Sequence, residues 1–341
     1  SLTLLHQKLG KINFFKMVKI SFVCPVFNKQ KYLKDVIDSI KNQKGEFDRE
    51  FIFINDGSTD LSLEYLKKFT KDLKKVKIIN QTNHGPAVAT QKGIEYSSGD
   101  FLKLVGGDDI LHPDCTSILL NTIIKNKSVG VFSRYELVED FKKLEFKENK
   151  PFNLKKIDSP LLDTVKSSFS GTSPNLYCNK TIKKSGGCNT KIFVEDFSLV
   201  LGISTLGNFC FIDNVTSYGP KNDKNRIMEG SKTQLIHDYN AALFHFISKK
   251  NNISNKIKKI ACKKALGRAE KWGRRLKKKN SFNRMNWLKF RLFLGYDNFS
   301  EIIKSSCLYF YENLDGESLR YKVNCVIHLD LLIILFFLIQ Q

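Results

Sequence analysis

The feature that most constrains the fold is a regular alternation, from residue 18 to about residue 111, of apolar runs with amphipathic segments. Between the runs, apolar residues recur every three to four positions, as in a helix packed on one face. The apolar runs have strand length and leave no room for hairpins, so parallel pairing through right-handed crossovers follows. Their unbroken apolar character is typical of strands buried on both faces. The four runs are Ile20–Val26, Phe51–Ile54, Val76–Ile79 and Phe101–Val105.

Small and polar residues follow three of these strands, at Pro25–Asn28, Asp56–Ser58 and Gly106–Asp109. In open parallel sheets, ligands bind beyond the carboxyl ends of the strands. Two of the three segments place an Asp beside a glycine, where backbone and carboxylate can both approach a ligand. The pattern therefore predicts an α/β fold with a ligand site at this edge of the sheet.

Residues 112 to 245 carry a weaker pattern, in which short apolar segments alternate with polar and Gly/Ser-rich pieces. The apolar segments are Val129–Phe132, Lys191–Val194 and Phe209–Ile212. We expect a mixed region here that completes the same sheet.

Positive charge is concentrated near the C-terminus. The 341 residues carry a net charge of +22, and the segment from Lys249 to Arg291 holds 17 Lys or Arg against one acid, Glu270. Apolar residues recur at helical spacing between Ile253 and Leu276, which predicts one or two basic amphipathic helices.

Three interpretations of this basic segment remain open. The first is a solvated helical face, and the second is a patch for an anionic membrane surface, where each Lys or Arg contributes ~1 kcal/mol. The third, nucleic-acid binding, is the least supported because no recognised binding module accompanies the charge, and we expect no nucleic-acid partner. Large apolar side chains that suit a membrane interface lie among the charges: Trp272, Trp287, Phe290, Leu292 and Phe293.

Cysteine usage and hydropathy exclude several classes of protein. The eight cysteines form neither a CxxC pair nor a His/Cys cluster at zinc spacing, which favours free thiols in a reducing cytoplasm. The longest apolar run, Leu331–Ile339, is about half of the ~20 residues that span a bilayer, so no integral membrane helix is expected. Residues 1–16 precede Met17 and lack a signal-peptide cleavage site, and we interpret them as a leader, non-native or upstream.

Three acidic segments are candidates for chemistry, each with a structural alternative. Asp108-Asp109 suits a hard divalent cation that also binds phosphate oxygens, or is a turn with solvated acids. Asp56 lies in Asn-Asp-Gly, which is also simply a good turn. Glu195-Asp196 supplies a general base or a negative charge at a helix start. No GxxxxGK[ST] loop is present, so any phosphate must be held without a Walker cradle.

Taken together, the segments of residues 18–115 resemble the nucleotide-binding half of family 2 glycosyltransferases, inverting enzymes of the GT-A fold. Further segments at Ser185–Gly187 and Glu195–Leu199 resemble that family's GG and ED-x-x-L pieces, and the C-terminal third falls outside the resemblance. The segments that carry it in the first half are Val23–Asn28, Ile54–Asp60, Asn83–Ala89 with Gly93, and Gly106–Asp109 with His112–Asp114.

The resemblance implies a role for individual residues. Asp56 would accept a hydrogen bond from a uracil or thymine, Gly85 would let the following helix approach the nucleotide, and Asp196, with Glu195, would be the catalytic base. Asp108 would hold Mn²⁺ or Mg²⁺ with support from Asp109. The full nucleotide-sugar-binding set is Pro25, Val26, Phe27, Asn28, Asp56, Gly85, Gly107, Asp108 and Arg226.

The sequence departs from the family pattern at three places. Gly106 replaces the first Asp of D-x-D, which usually contacts the ribose, and Thr90 stands where Arg is common. No His is found past Tyr218 at the usual position of a loop that closes over the donor, where Arg226 could serve the diphosphate instead. Loss of one ribose contact would weaken donor binding by about 1–2 kcal/mol if nothing replaces it.

The resemblance therefore implies a GT-A fold, Rossmann-like and mostly parallel, followed by a basic helical extension. We expect a cytoplasmic enzyme, peripheral at the inner face of the membrane, that transfers a hexose or N-acetylhexosamine from a UDP-sugar to a glycan or lipid-linked acceptor, as in lipopolysaccharide or capsule assembly. The alternatives are a non-catalytic nucleotide-sugar or glycan-binding relative, favoured by Gly106, and a basic nucleic-acid-binding protein. The expected parts are a leader (1–16), a nucleotide-sugar-binding half (17–115), an acceptor-binding and catalytic half (116–245) and the basic extension (246–341).

Overall fold

The computed structural model describes residues 17–146, 153–169, 171, 173–221, 223, 232–275, 282–295, 298–313 and 319–323. The leader 1–16, Arg226 and the apolar run Leu331–Ile339 lie outside the described residues. The chain divides into two compact units. The first comprises residues 1–159, 171–187 and 206–222, and the second comprises 160–170, 188–205 and 223–341.

The first unit begins with four strands that pair in parallel, as the sequence pattern predicted. Their order in the sheet is β3-β2-β1-β4. Three helices connect them: α1 (Leu33–Lys41), α2 (Ser62–Thr70) and α3 (Pro86–Tyr96). The carboxyl ends of β1, β2 and β4 therefore meet at one edge of the sheet. The strands are β1 (Lys19–Val26), β2 (Asp48–Asp56), β3 (Val76–Gln81) and β4 (Phe101–Leu104).

Five more strands complete the sheet in the order β3-β2-β1-β4-β8-β6-β9-β5, with β7 paired to β9. Of their pairings, β6 with β9 is parallel and the others are antiparallel. Helices α4 (Cys115–Asn126) and α6 (Asn179–Ser185) belong to the same unit. The strands are β5 (Ile110–Leu111), β6 (Gly130–Val138), β7 (Leu154–Ile157), β8 (Asn175–Cys178) and β9 (Phe209–Pro220).

The core of the first unit lies between the sheet and helices α1 and α4. Phe22 and Phe53, from β1 and β2, are about 1% exposed and pack in one cluster with Ile37 of α1 and Leu119 of α4. Strands buried on both faces explain why the sequence showed unbroken apolar runs instead of alternation.

The second unit is helical and has a core of its own. A helix predicted from the basic segment occupies Asn255–Arg275, with Ala261, Ala265 and Ala269 fully buried in that core. The small buried residues let neighbouring helices approach closely while the lysines lie on the opposite face. The helices are α5 (Pro160–Lys166), α7 (Glu195–Ile203), α8 (Lys232–Lys249), α9 (Asn255–Arg275), α10 (Phe282–Phe293) and α11 (Phe299–Asn313).

Lys191–Val194 was expected among the segments that complete the sheet, but it forms no strand: Ile192 and Val194 are buried in the helical core just before α7. Short apolar runs do not distinguish a strand from a buried loop that precedes a helix.

The predicted boundaries at 115/116 and 245/246 fall within α4 and α8, and the division into functional parts stays a prediction. None of the described helices is long and apolar enough to cross a membrane.

Glu50 of β2 makes the stability of the first unit depend on pH. It is 4% exposed, forms an ion pair of 2.8 Å with Lys19 and accepts hydrogen bonds from Ser21 and Ser98. Burial alone would raise its pKa, but these bonds outweigh burial and lower the pKa from 4.5 to about 2. A carboxyl whose folded-state pKa is depressed stabilises the fold above its unfolded pKa and loses that contribution as the pH falls from 4.5 toward 2.

We therefore expect Glu50→Gln to lower the free energy of unfolding at pH 7 by about 3 kcal/mol and to change it much less at pH 3. Urea unfolding of both proteins at the two pH values measures this difference. Glu95→Gln, at an exposed carboxylate of the same unit, is the matched control. An equal loss of stability at pH 7 and pH 3 would contradict the assignment of the pKa shift to Glu50.

Candidate functional site

The loop after β1 is tied by hydrogen bonds to the loop after β2. Asn28 N donates to Ser58 Oγ at 3.0 Å, and Thr59 N donates to Asn28 Oδ1 at 2.8 Å. Lys29 N donates to Ser62 Oγ at 2.8 Å. Asn28 has φ +52°, a left-handed conformation that Asn adopts more readily than most residues. These bonds fix the first two of the three segments that the sequence predicted to line a ligand site.

Asp56 ends β2 and joins three elements of the first unit. Its carboxylate accepts hydrogen bonds from Gln81 Nε2 (2.8 Å), His84 N (2.9 Å) and Gly85 N (2.8 Å), and the residue is 3% exposed. A carboxylate has about four acceptor positions, so three donors leave room for one more. Asp56 can therefore brace the turn and still accept a ligand N–H.

Two glycines, Gly57 and Gly85, lie next to the Asp56 carboxylate. Gly57 has φ +70°, and a Cβ there would lie 2.6 Å from Asn83 N, so a side chain is excluded. Gly85 has φ +93° and precedes Pro86, the first residue of α3. The helix thus starts directly beside the Asp56 carboxylate, with the Gly85 N–H already bonded to it.

The loop after β4 is joined to the loop after β1 by an ion pair. Lys29 Nζ lies 2.6 Å from Asp108 Oδ2, and the two side chains are 10% and 15% exposed. The aliphatic part of Lys29 packs on Gly107, where a Cβ would lie 3.1 Å from Lys29 Cγ and 3.2 Å from Pro25 O. Glycine at position 107 therefore gives Lys29 the space to reach Asp108.

Asp109 points to different partners from Asp108. Its carboxylate accepts hydrogen bonds from Tyr135 OH (2.8 Å) and from Ser173 Oγ, and it is 5% exposed. Ser173 Oγ also accepts from Gly106 N at 2.9 Å, and its carbonyl accepts from the fully buried Lys103. The hydrogen bonds of Asp109 and Ser173 thus fix the conformation of the Gly106–Asp109 loop.

This donor set fits a divalent cation poorly. Gly106 supplies no carboxylate, and a Cβ there would lie 2.5 Å from Asp109 Oδ2. Both Asp109 oxygens accept hydrogen bonds, and an ammonium group already contacts Asp108. The described part of the chain contains no group of three or more His, Cys, Asp or Glu side chains that could hold a metal ion. The requirement for Mn²⁺ or Mg²⁺ stays a prediction.

A cysteine beneath the loops is not a nucleophile. Cys24 of β1 is fully buried, and its pKa is raised well above the usual range by burial and by the negative charges of Asp108 and Asp109. A thiol in this environment stays protonated, and the thiolate is the reactive form. Cys24 therefore supplies no nucleophile to the loops above it.

The second unit holds the remaining predicted acids. Glu195 and Asp196 open α7 and are half-buried, and Asp196 Oδ1 accepts a hydrogen bond from Phe197 N at 2.7 Å. Burial, followed by the negative charges of these two acids, raises the pKa of the Cys188 thiol. Acids in a first helical turn are stabilised by the helix dipole. This position is compatible with both sequence interpretations of the pair.

The segment that leads into α7 is anchored by a buried acid of α8. Asp238 is fully buried, accepts a hydrogen bond from Phe193 N, and also contacts Gln234 Nε2 and His237 Nδ1. The guanidinium of Arg268 lies 5.9 Å from the ring of Phe197, the residue after Asp196. The start of α7 is therefore held from both sides by polar and cationic side chains.

The structure places most of the predicted binding residues at the carboxyl ends of β1 and β2 and in the adjoining loops of the first unit: Pro25, Val26, Phe27, Asn28, Asp56, Gly85, Gly107 and Asp108. Glu195 and Asp196 belong to the second unit, and Arg226 lies outside the described residues. Sequence reasoning missed Lys29, Tyr135 and Ser173. Lys29 could have been found as the charged residue directly after Asn28, whereas Tyr135 and Ser173 lie in the weakly patterned part of the chain.

The family profile described as glycosyl transferase family 2 matches residues 21–180. An uncharacterized glycosyltransferase of Haemophilus influenzae is 36% identical over 120 residues, which cover 35% of this chain and 48% of the relative. Glycosyltransferase GlyA of Streptococcus pneumoniae is 32% identical over 122 residues, covering 36% of this chain and 17% of the relative. The matches thus span less than half the length of these curated relatives.

Solved structures extend the likeness of the fold beyond the family match. TarS of S. aureus (residues 1–349), in complex with UDP-GlcNAc, is similar with a TM-score of 0.61 at 16% identity, over 91% of this chain and 95% of that one. The same protein in complex with UDP gives a TM-score of 0.58. The predicted GT-A architecture is therefore confirmed. Residues 21–180 thus match the family 2 glycosyltransferases in sequence, and the chain has the fold of a GT-A glycosyltransferase.

Proposed function

We propose that the chain transfers a sugar, with inversion, from a UDP-sugar to a hydroxyl of a surface glycan. One observation carries the proposal: the loops after β1, β2 and β4 are bonded together, with Asp56 and Asp108 on them, in the segment that matches the family. Ligands of parallel sheets bind at such an edge.

The nucleotide would lie between the first two loops. Phe27 is 39% exposed, and its ring offers an apolar surface for a base. The remaining acceptor position of Asp56 would take the ring N–H of uracil, which a cytosine lacks. The UDP and UDP-GlcNAc complexes of TarS support this choice of nucleotide.

Transfer would be a single in-line displacement. The acceptor oxygen forms a bond to the anomeric carbon, the bond from that carbon to the diphosphate oxygen breaks, and the electron pair leaves with UDP. Asp196, with Glu195 beside it, would take the acceptor proton as a general base. One displacement inverts the anomeric centre, and no covalent intermediate on the protein is required.

The proposed acceptor is a polysaccharide or a lipid-linked glycan. Matched relatives include the chondroitin synthase and the hyaluronan synthase of Pasteurella multocida, each 31% identical over 111 residues. These names support a polysaccharide acceptor. The proposal extends to lipid-linked glycans, such as those of capsule or lipopolysaccharide assembly, and to a hexosyl or N-acetylhexosaminyl group as the sugar.

We also propose peripheral contact with an anionic membrane, through α10. Phe290, Phe293 and Leu294 are 50%, 84% and 53% exposed and lie at helical spacing beside Lys289 and Arg291. Of the apolar residues expected at the interface, Leu292 instead lies in the helical core, and Trp272 packs partly against it. We expect the Phe290→Ser/Phe293→Ser double variant to co-sediment several-fold less with vesicles that contain phosphatidylglycerol. Equal sedimentation of the variant and the wild type would contradict the proposal.

A panel of nucleotide sugars tests the choice of donor. Thermal unfolding of the full chain is measured with UDP-, GDP- and dTDP-sugars at equal concentration. A ligand that binds the folded state raises the midpoint by mass action. We expect UDP-sugars to stabilise most, and stabilisation by GDP-sugars alone would overturn the assignment of the base.

A further inference from the structure

Lys29 holds the position at which the family resemblance leads one to expect a metal ion. Its ammonium lies 2.6 Å from Asp108 Oδ2, the carboxylate that would otherwise be the metal ligand. Asp108 is the described partner of this ammonium, so two of its three N–H groups remain for a ligand.

The position of Lys29 is fixed along the whole residue. Its backbone N–H is bonded to Ser62, its side-chain carbons pack on Gly107, and its ammonium is held by Asp108. The residue is 8% exposed, although lysine is rarely buried to this extent without a partner. A side chain held in this way is preorganised, so little further ordering is needed when an anion binds.

The alternative, a divalent cation on Asp108, would bring a second positive charge against the ammonium. The neighbouring Asp109 is committed to Tyr135 and Ser173, and Gly106 offers no oxygen from a side chain. The charges of Lys29, Asp108 and Asp109 therefore favour one fixed cation, the ammonium, over an exchangeable metal ion.

We propose that Lys29 binds the diphosphate of the donor and offsets the charge that develops on the leaving group, so that donor binding does not require a divalent metal. The inference rests on the proposed function, because it assumes a nucleoside diphosphate in this site. Lysine binds phosphate as a point charge, and a fixed charge needs no reorganisation as the bond to the diphosphate breaks. Asp108 then acts as the positioning residue that keeps the ammonium at the site.

Calorimetric titration of the full chain with UDP and with uridine tests this assignment, each in EDTA and in MnCl₂. We expect the wild type to bind UDP with affinities within about threefold in the two buffers. Lys29→Met should weaken UDP binding by about 10- to 100-fold, the range for a hydrogen bond to a charged group, and leave uridine binding within about twofold. Lys29→Arg, which keeps the charge, should restore most of the affinity for UDP.

Lys75→Met is the matched control, because Lys75 also pairs with an Asp of the first unit, Asp48, at 2.6 Å. It should leave UDP binding unchanged. Melting temperatures of all variants establish whether they fold. If Lys29→Met does not fold, the comparison of Lys29→Arg with the wild type still tests the inference.

Asp108→Asn separates the two kinds of cation by the sign of its effect. If Lys29 is the cation, the amide oxygen introduced at position 108 still accepts a hydrogen bond from the ammonium but no longer neutralises its charge, so UDP affinity in EDTA should be kept or increased. UDP binding that requires Mn²⁺ and is lost in Asp108→Asn would overturn the inference and leave the proposed function standing. Failure of the wild type to bind either UDP or uridine in both buffers would overturn the proposed function and this inference with it.

Discussion

Replacing Asp196 with Asn is expected to lower the rate of sugar transfer by about 100- to 10,000-fold, the usual contribution of a general base. The affinity for UDP should stay within about twofold, because Asp196 lies at the start of α7 in the second unit, whereas the proposed nucleotide contacts lie on loops of the first unit. Asn keeps the acceptor for the Phe197 N–H, so the fold around the start of α7 should be retained.

Initial rates of UDP release in the presence of acceptor, together with titration of UDP, measure the two effects separately. Glu301→Gln removes an exposed acid from the same unit and is the matched control. A non-catalytic nucleotide-sugar-binding relative would show neither change, since it has no turnover to lose. Unchanged turnover in Asp196→Asn would exclude this residue as the base, and Glu195→Gln would then identify whether its neighbour has that role.

Replacing Asp56 with Ala is expected to weaken UDP binding more than 100-fold and to lower the free energy of unfolding by about 3–5 kcal/mol. The change removes the proposed acceptor for the uracil N–H and leaves two backbone amides, His84 N and the buried Gly85 N, without their carboxylate. The start of α3 and the end of β2 lose their shared bond at the same time.

The control for this variant lies at the other end of the same strand. Asp48 pairs with Lys75 at 2.6 Å near the surface, and Asp48→Ala should cost less than about 1 kcal/mol. Urea unfolding and UDP titration of both variants compare the two ends of β2. Equal loss of stability in the two variants, or full UDP binding by Asp56→Ala, would contradict the dual role of Asp56.

The first half of the fold could be predicted from the sequence because β1, β2 and β4 are buried along most of their length. Runs such as those of β1 and β2 leave one interpretation, and the helices between them force parallel pairing. The glycines and acids at the strand ends then indicated the edge at which Asp56 and Asp108 lie. Local spacing was sufficient to predict these elements, whereas the pairing of β4 with β1 joins strands that are not consecutive in the chain.

The partners of the acids could not be predicted, since they come from distant parts of the chain. Asp108 and Asp109 are adjacent, yet one pairs with Lys29 and the other with Tyr135 and Ser173, 26 and 64 residues away. A pair of adjacent carboxylates therefore resembles a metal site in sequence even where the two side chains take separate partners. The prediction for Lys191–Val194 was wrong for a related reason, because Ile192 and Val194 are buried in the helical core of the second unit, whose other members lie far away in the sequence.

Release of UDP from UDP-sugars tests the central claim most directly. The purified full chain and its Asp196→Asn variant are incubated with UDP-glucose, UDP-galactose, UDP-GlcNAc and UDP-GalNAc, and free UDP is quantified by ion-pair chromatography. The account predicts UDP release from at least one donor by the wild type and its near loss in the variant. No UDP release from any donor, or equal release by both proteins, would contradict it.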